Sequence, residues 1–320
     1  MTTTGIFVEV PAVQALPLDG RAPSGRPARW RRVLRALPPY LYLLPALACV
    51  VFWTYRPLAQ TVQLSFYHWD MLPTSPAEPA GLDNYRRLLS SPQLGRSLWL
   101  TVVFILGMVP FTIIVPTFVG LVTRRLRGRT AALYRALVFA PMLVPPVAGA
   151  VVWQWLLDPR YGAVDRLLGT DLNWLQQTGP AQLAIVVITG WHVLGFAVLI
   201  VTAGIAGISD DYTEAAALDG ASRGQTTRWI TLPLLSPTLL FLALMTVLLS
   251  AQWSFPVIDN LTQGGPSGAT TNIYYFLWET AFQGFAAGSA AAAGVLFFLG
   301  FGVLALVLVR LSDRLGVHDN

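Results

Sequence analysis

"EAAALDGASRGQTTRWITLPLLSP", Glu214 to Pro237, is the most polar stretch in the second half of an otherwise largely apolar chain. Asp211, three residues before Glu214, fits a capping box in which Asp211 is the N-cap and Glu214 reaches back to its amide. The helix so begun runs through Ala215, Ala216, Ala217 and Leu218 and stops at Gly220, which tolerates the left-handed conformation that ends helices. Ser222 and Gln225 offer a second box, and a second short helix is expected to reach about Trp229. Pro233 then suits the first turn of an apolar span, where its missing N–H has no partner to lose. The segment reads as helix, tight bend, helix, membrane.

The surroundings explain why a membrane is expected. Of 320 residues, 54% are hydrophobic and 12% charged, too few charges to cover a soluble globule of this size. Six runs are long enough to cross the hydrocarbon layer: residues 39–59, 98–122, 133–157, 183–205, 232–252 and 287–308. The fold class expected is therefore all-α integral membrane with six transmembrane helices, and six spans put both ends on one side. Arginine near span ends is retained in the cytoplasm, and with both termini inside, fifteen of the 21 basic residues fall on that side. The net charge of +5 is mostly this bias; a nucleic-acid footprint needs a soluble basic face, which is not found.

Residues 1–37 read as a flexible cytoplasmic tail, residues 38–311 as the six-span domain with the loop 208–231 inside it, and residues 312–320 as a short cytoplasmic C-terminus. Cys49 is the one cysteine, which excludes internal disulfides and Cys-based metal sites. Lysine is absent, which excludes a Walker-type phosphate loop and Schiff-base chemistry. No metal site and no catalytic constellation is expected, and no inside loop is long enough to fold an ATP-hydrolysing unit. The outside loops are expected at 60–97, 158–182 and 255–286, with "LDNYRRLL" a short helix opened by Asp83 or Asn84.

The polar segment has two readings, a helix resting among lipid headgroups or one docking into a groove of another protein. The first expects Lys or Arg flanking a broad apolar face, whereas this helix is acidic and small on its exposed side. Docking is the better fit.

"EAAALDGAS", followed at fixed spacing by Ile230, Leu232 and Pro233, resembles the EAA loop of permease subunits of bacterial ABC importers. "GLDNYRRLL", "VPPVAGAVVWQWLLDPRYGAVDRLLG" and "LTQGGPSGATT" resemble the carbohydrate-type, maltose-type permeases over Pro38 to Arg310. The resemblance implies the type I ABC importer permease fold, with the loop as a coupling helix inserted into a cleft of a cytoplasmic ATPase. By position, Glu214, Ala215, Ala216, Asp219, Gly220, Ala221 and Pro233 take that part. The family commonly has aromatic residues near positions 224 and 227, where this chain has Gly224 and Thr227, so its second short helix is expected to pack differently.

The same resemblance implies the partners: a second permease, a dimer of ATPase subunits that binds ATP and magnesium, and an extracytoplasmic solute-binding protein, all at a bacterial plasma membrane. This chain would hold no cofactor and be no enzyme. "FPVID" with "GGPSGATTNIY" looks like the glycerol-3-phosphate and glycerophosphodiester importers, with a disaccharide such as trehalose or maltose as the alternative. Candidate pathway residues are Gln154, Trp155, His192, Gln252, Trp253, Asp259 and Asn260, with Trp191 and Ser254 beside them, because polar groups at membrane depth are costly without a use. An ion-coupled carrier would want carboxylates at mid-membrane, and the six spans hold none. A membrane enzyme would want convergent His, Asp or Cys, and His68, His192 and His318 are scattered. A receptor would leave the two capped helices without a purpose.

Overall fold

The computed structural model describes residues 42–72, 74–124, 126 and 128–315. The expected tail of residues 1–37, Arg125, Arg127 and residues 316–320 lie outside the described residues. The chain divides into two units, Met1–Pro57 and Leu58–Asn320. The described part of the first is the opening of helix α1 (Tyr42–Leu64), where the Arg56 guanidinium lies 4.9 Å from the centre of the Phe52 ring. That is a cation–π contact at the polar end of an apolar run.

The second unit is built on long helices: α2 (Asp83–Leu89), α3 (Pro92–Thr123), α4 (Gly128–Leu143), α5 (Pro146–Leu156), α6 (Ala163–Leu168), α7 (Thr178–Ala206), α8 (Asp210–Leu218), α9 (Arg223–Leu261), α10 (Ile273–Trp278) and α11 (Ala287–Leu315). Among the described residues five helices are long and apolar enough to cross a membrane, and the α4–α5 pair makes a sixth if it is one span. That pair corrects the continuous third span expected at 133–157. It bends by 91° between Leu143 and Pro146. Pro145 takes the extended ψ of 133° demanded of a residue that precedes a proline, so α4 must stop there, and Pro146 opens α5.

Elsewhere proline does not break the helices. Pro57, Pro116 and Pro233 each stand two residues after a five-residue π-helical stretch: Val51–Tyr55, Pro110–Ile114 and Thr227–Thr231. A proline ring collides with the carbonyl four residues earlier, and widening the preceding turn relieves the collision without ending the helix. The fifth span therefore does not begin at Leu232. The expected second short helix is the first turn of α9, which runs 39 residues from Arg223. Pro233 sits inside that continuous helix, and the expectation that it opens the span is corrected.

Helix α7 is the axis of the core. Its buried face carries Ala184, Ile185, Ile188, Val193, Ala197, Val201 and Ile205. Gly190 lies against the Phe111 ring and Gly195 against the Val138 carbonyl, so any side chain there would meet the neighbouring helix. Between apolar helices in lipid, association rests on such close backbone approach and on a few hydrogen bonds. One of these is the Thr246 hydroxyl donating to Thr112 at 2.7 Å, joining α9 to α3.

At one end, the segments expected outside meet one another. The Ala287 N–H donates to the Trp69 carbonyl (3.0 Å) and Gln182 Nε2 to Ala269 (2.8 Å). The region 255–286 is not a loop throughout: α9 continues to Leu261, and α10 buries Ile273, Tyr275 and Phe276. Asn272 caps α10 by accepting from the Tyr275 N–H (2.9 Å) while donating to Ser254 Oγ (2.7 Å). Neither Asp83 nor Asn84 caps α2, whose N-cap is Leu82. Asn84 is buried and donates to the Ser65 and Tyr67 carbonyls, both at 2.9 Å, tying α2 to the short β1 (Tyr67–His68), which pairs with β2 (Glu78–Pro79). Asp83 pairs with Arg87 at 2.6 Å and His68 at 3.1 Å.

Asp165 organises the loop after α5. Its Oδ1 accepts from Thr170 Oγ1 (2.7 Å), Trp174 Nε1 (2.9 Å) and the Leu172 amide (3.4 Å). These bonds, the Thr170 hydroxyl foremost, hold its carboxyl below the usual range against the opposing effect of burial.

Candidate functional site

At the opposite end, α7 closes at Ala206 and α8 begins at Asp210, after three connecting residues. Ser209 is its N-cap, accepting from the Asp211 N–H at 3.2 Å. This corrects the box expected from Asp211 to Glu214. A serine two residues earlier supplies the cap, and Asp210 and Asp211 become first-turn acids facing the positive end of the helix. The other end is as expected. Gly220 has φ +74°, its N–H donates to the Ala217 carbonyl (3.1 Å), and the Ala221 N–H donates to Ala216 (2.9 Å). That pair of bonds is a Schellman cap. The Ser222–Gln225 capping box is also present, with bonds of 2.7 and 3.4 Å.

Glu214, Ala215, Asp219 and Gly220 are all exposed on α8 and its bend, and Ala221 is half-buried. Ala216 instead points inward and is the one residue α8 buries, so it seats the helix rather than facing a partner. Pro233 is exposed on α9, nearly three turns along that helix. Two exposed apolar residues escaped the sequence reading. Leu218 is 90% exposed, and Tyr212 is exposed on the same short helix. The signal was available: a leucine immediately before a glycine stop on an otherwise small and acidic helix has no core to enter. Large apolar groups left uncovered on a polar segment mark a surface that something else covers.

The pathway candidates separate into two groups. Gln154 and Trp155 are exposed on α5, and Gln252 is exposed on α9, against which α5 packs. Amides held outward in apolar spans do not suit lipid. Gln252 brings a second acceptor. Pro256 has no N–H to offer the Gln252 carbonyl four residues back, which frees that oxygen.

His192 belongs to the other group. It is only 5% exposed, its ring centre lies 5.0 Å from that of half-buried Trp253, and its Nε2 has no hydrogen-bond partner. Trp191 extends the contact to Trp153 at 5.8 Å. His192 and Trp253 thus sit behind the exposed face rather than on it. Asp259 is half-buried in the last turns of α9, and Asn260 donates to the Pro256 carbonyl at 2.7 Å within the same helix. Ser254 is occupied by Asn272. Among the described residues no cluster of His, Cys, Asp or Glu suits a metal ion.

A helical membrane chain with an exposed, doubly capped helix at one end and a polar strip between two spans is built as a transport component. Residues 113–315 match the family described as "Binding-protein-dependent transport system inner membrane component", and the chain belongs to it. It is the permease component of an ABC importer. Among its relatives is the sn-glycerol-3-phosphate transport system permease protein UgpA of Yersinia pestis bv. Antiqua, 31% identical over 280 residues that cover 86% of this chain and 94% of the relative. Another is the trehalose/maltose transport system permease protein MalF of Thermococcus litoralis, 36% identical over 241 residues, 73% and 80% of the two chains. A solved bacterial ABC transporter involved in the import of the acidic polysaccharide alginate shares the fold, with a TM-score of 0.76 at 23% identity over 89% of this chain and 98% of that one. The resemblance read from the EAA-like loop is borne out at the level of family and fold.

Proposed function

We propose that this chain forms half of a translocation pathway for a glycerol-3-phosphate-like or sugar-like solute, handed over by an extracytoplasmic binding protein. Its counterpart is a second, different permease. A pair of cytoplasmic ATPase subunits binds ATP and magnesium and carries out the hydrolysis. Closure of that pair is carried by α8 to the spans, which then open outward. Both termini face the cytoplasm. Residues 38–311 form the permease domain, and the segments 1–37 and 312–320 flank it.

The observation that carries this reading is the exposed coupling helix. Glu214 and Asp219 offer acceptors to a cleft, Ala215 lets its wall approach, Gly220 with Ala221 fixes the bend, and Leu218 supplies the apolar anchor. Ala216 seats the helix, and Pro233 lies on the continuous helix that follows the bend. Gln154, Trp155 and Gln252 line the solute route. His192 and Trp253 support them from behind, and Asp259 and Asn260 stand near the outer mouth.

The glycerol-3-phosphate reading rests on the relatives in Yersinia and on the "FPVID" and "GGPSGATTNIY" stretches. The disaccharide reading is favoured by the Thermococcus relative and by tryptophan beside amides on the exposed face. Purifying the complex by a tag on this chain and screening the co-purifying binding protein against sn-glycerol-3-phosphate, glycerophosphodiesters, trehalose and maltose decides between them. Recovery of the chain without an ATPase would overturn the reading as a whole.

A further inference from the structure

We infer that the ion pair between Arg124 and Asp210 is the tether that positions the coupling helix, and that it opens and closes during each turnover. The inference rests on the reading of α8 as that helix.

Helix α8 is poorly anchored for an element that is to transmit force. It buries only Ala216, and beside it lies a cavity of about 1110 Å³. The ends of α3 and α7, the start of α4 and the first turns of α9 line that cavity, with Thr213, Ala217 and Ala221 from the coupling segment. Close packing would hold a helix in one place, whereas an open cleft beside it leaves it room to shift.

Its two ends are held differently. After Leu218 the chain passes through the Gly220 bend and the Ser222 box directly into α9, a short and fully hydrogen-bonded connection. At the first turn, Arg124 Nη2 donates to Asp210 Oδ1 at 2.8 Å, across 86 positions of sequence. Arg124 follows the last residue of α3, at the corner that leads into α4 and the bent α4–α5 span carrying Gln154 and Trp155. The pair thus joins the docking helix to the corner from which the pathway span departs.

The partners are unequal, which suits a reversible contact. The Arg124 side chain is 27% exposed and the Asp210 side chain 78% exposed, so the carboxylate is the half that water already reaches. When the pair parts, Asp210 returns to water. Arg124 stays on the wall of the cavity, which Thr123, Tyr134 and Arg223 also line. Ion pairs with one exposed partner contribute little net stability, so this one can be exchanged without a large barrier.

The test uses the assembled complex of both permeases, ATPase and binding protein in proteoliposomes, the binding protein being isolated with the solute it carries. Arg124→Ala and Asp210→Ala are each expected to lower the binding-protein-stimulated ATPase rate by about threefold, the size of effect an exposed pair supports. The exchanged pair Arg124→Asp with Asp210→Arg is expected to restore it, which separates a tether from a mere folding defect. Failure of the exchange to restore stimulation overturns the proposal. Spin labels at Thr123→Cys and Asp211→Cys, with Cys49→Ser, report the opening. Their distance distribution is expected to differ between the ADP and the ATP–vanadate states, and one unshifted distribution overturns it. Gly220→Val serves as the reference. If it leaves stimulation intact, the coupling-helix reading itself fails; if it abolishes stimulation while Arg124→Ala keeps the wild-type rate, the tether alone fails.

Discussion

The two ends of the second unit, the outer one proposed to face away from the cytoplasm and the inner one proposed to face it, are built on opposite principles. At the outer end, Asn84 and Asn272 bond groups from segments distant in sequence, Asp165 ties together three groups of its own loop, and α10 is buried among the spans. At the inner end, α8 buries one alanine, leaves Leu218 uncovered and borders a cavity. Its hydrogen bonds are nearly all local caps. The first arrangement resists motion, because every displaced segment strands buried polar groups. The second keeps its own shape while depending on little else, which suits the role proposed for it as a part that is gripped and moved.

The sharpest way to break this contrast is at the outer end. Asn272→Ala removes a helix cap and the buried bond to Ser254, and a loss of about 2 kcal/mol is expected. Thermal unfolding of the detergent-purified chain measures it; an unchanged midpoint would mean the outer end is not rigid through these bonds. Leu218→Asp at the inner end should leave that midpoint untouched and weaken ATPase binding by about 2 kcal/mol, the scale of a central apolar anchor. Titration of the permease pair with purified ATPase reads this directly.

Gly220→Val should cost about 1–2 kcal/mol of local strain at φ +74°, since space around the new side chain is open. Insertion is expected to survive while solute uptake is lost. Ser222→Ala removes the side-chain half of a capping box and should cost about 1 kcal/mol, visible as faster amide exchange from Arg223 to Thr226.

The smallest effect is expected with pH. The Asp165 carboxyl is held below its ordinary value, so its contribution is present above the unfolded value of about 3.9 and is lost as pH falls through the folded one. An unfolding midpoint that drops below about pH 4 in the wild type, and drops less in Asp165→Asn, is the expected pattern.

Much of the inner end was legible because its determinants are local. The Gly220 stop and the Ser222–Gln225 box each depend on residues within a single turn, and both are in place. The first cap was misread for a related reason. Ser209 and Asp211 are both good cap residues, and the choice depends on where α7 ends at Gly207, which spacing alone does not fix. The outer end was less legible. Asn84 and Asp83 read as helix starters, whereas Asn84 serves carbonyls seventeen and nineteen residues away. Among the pathway candidates, composition could not tell exposed Gln154 and Gln252 from buried His192.

The sequence by itself determined that the chain lies in a membrane, roughly where its spans fall, and where one short helix stops and the next begins. Those follow from hydropathy over about 20 residues and from capping chemistry within one turn. Only the tertiary structure decided that the third span bends by 91°, that α9 runs unbroken through Pro233, that Ala216 faces inward while Leu218 does not, and that Arg124 meets Asp210 across 86 positions. Burial and long-range pairing are properties of packed helices. A helix face acquires its inside only when a neighbour arrives to cover it.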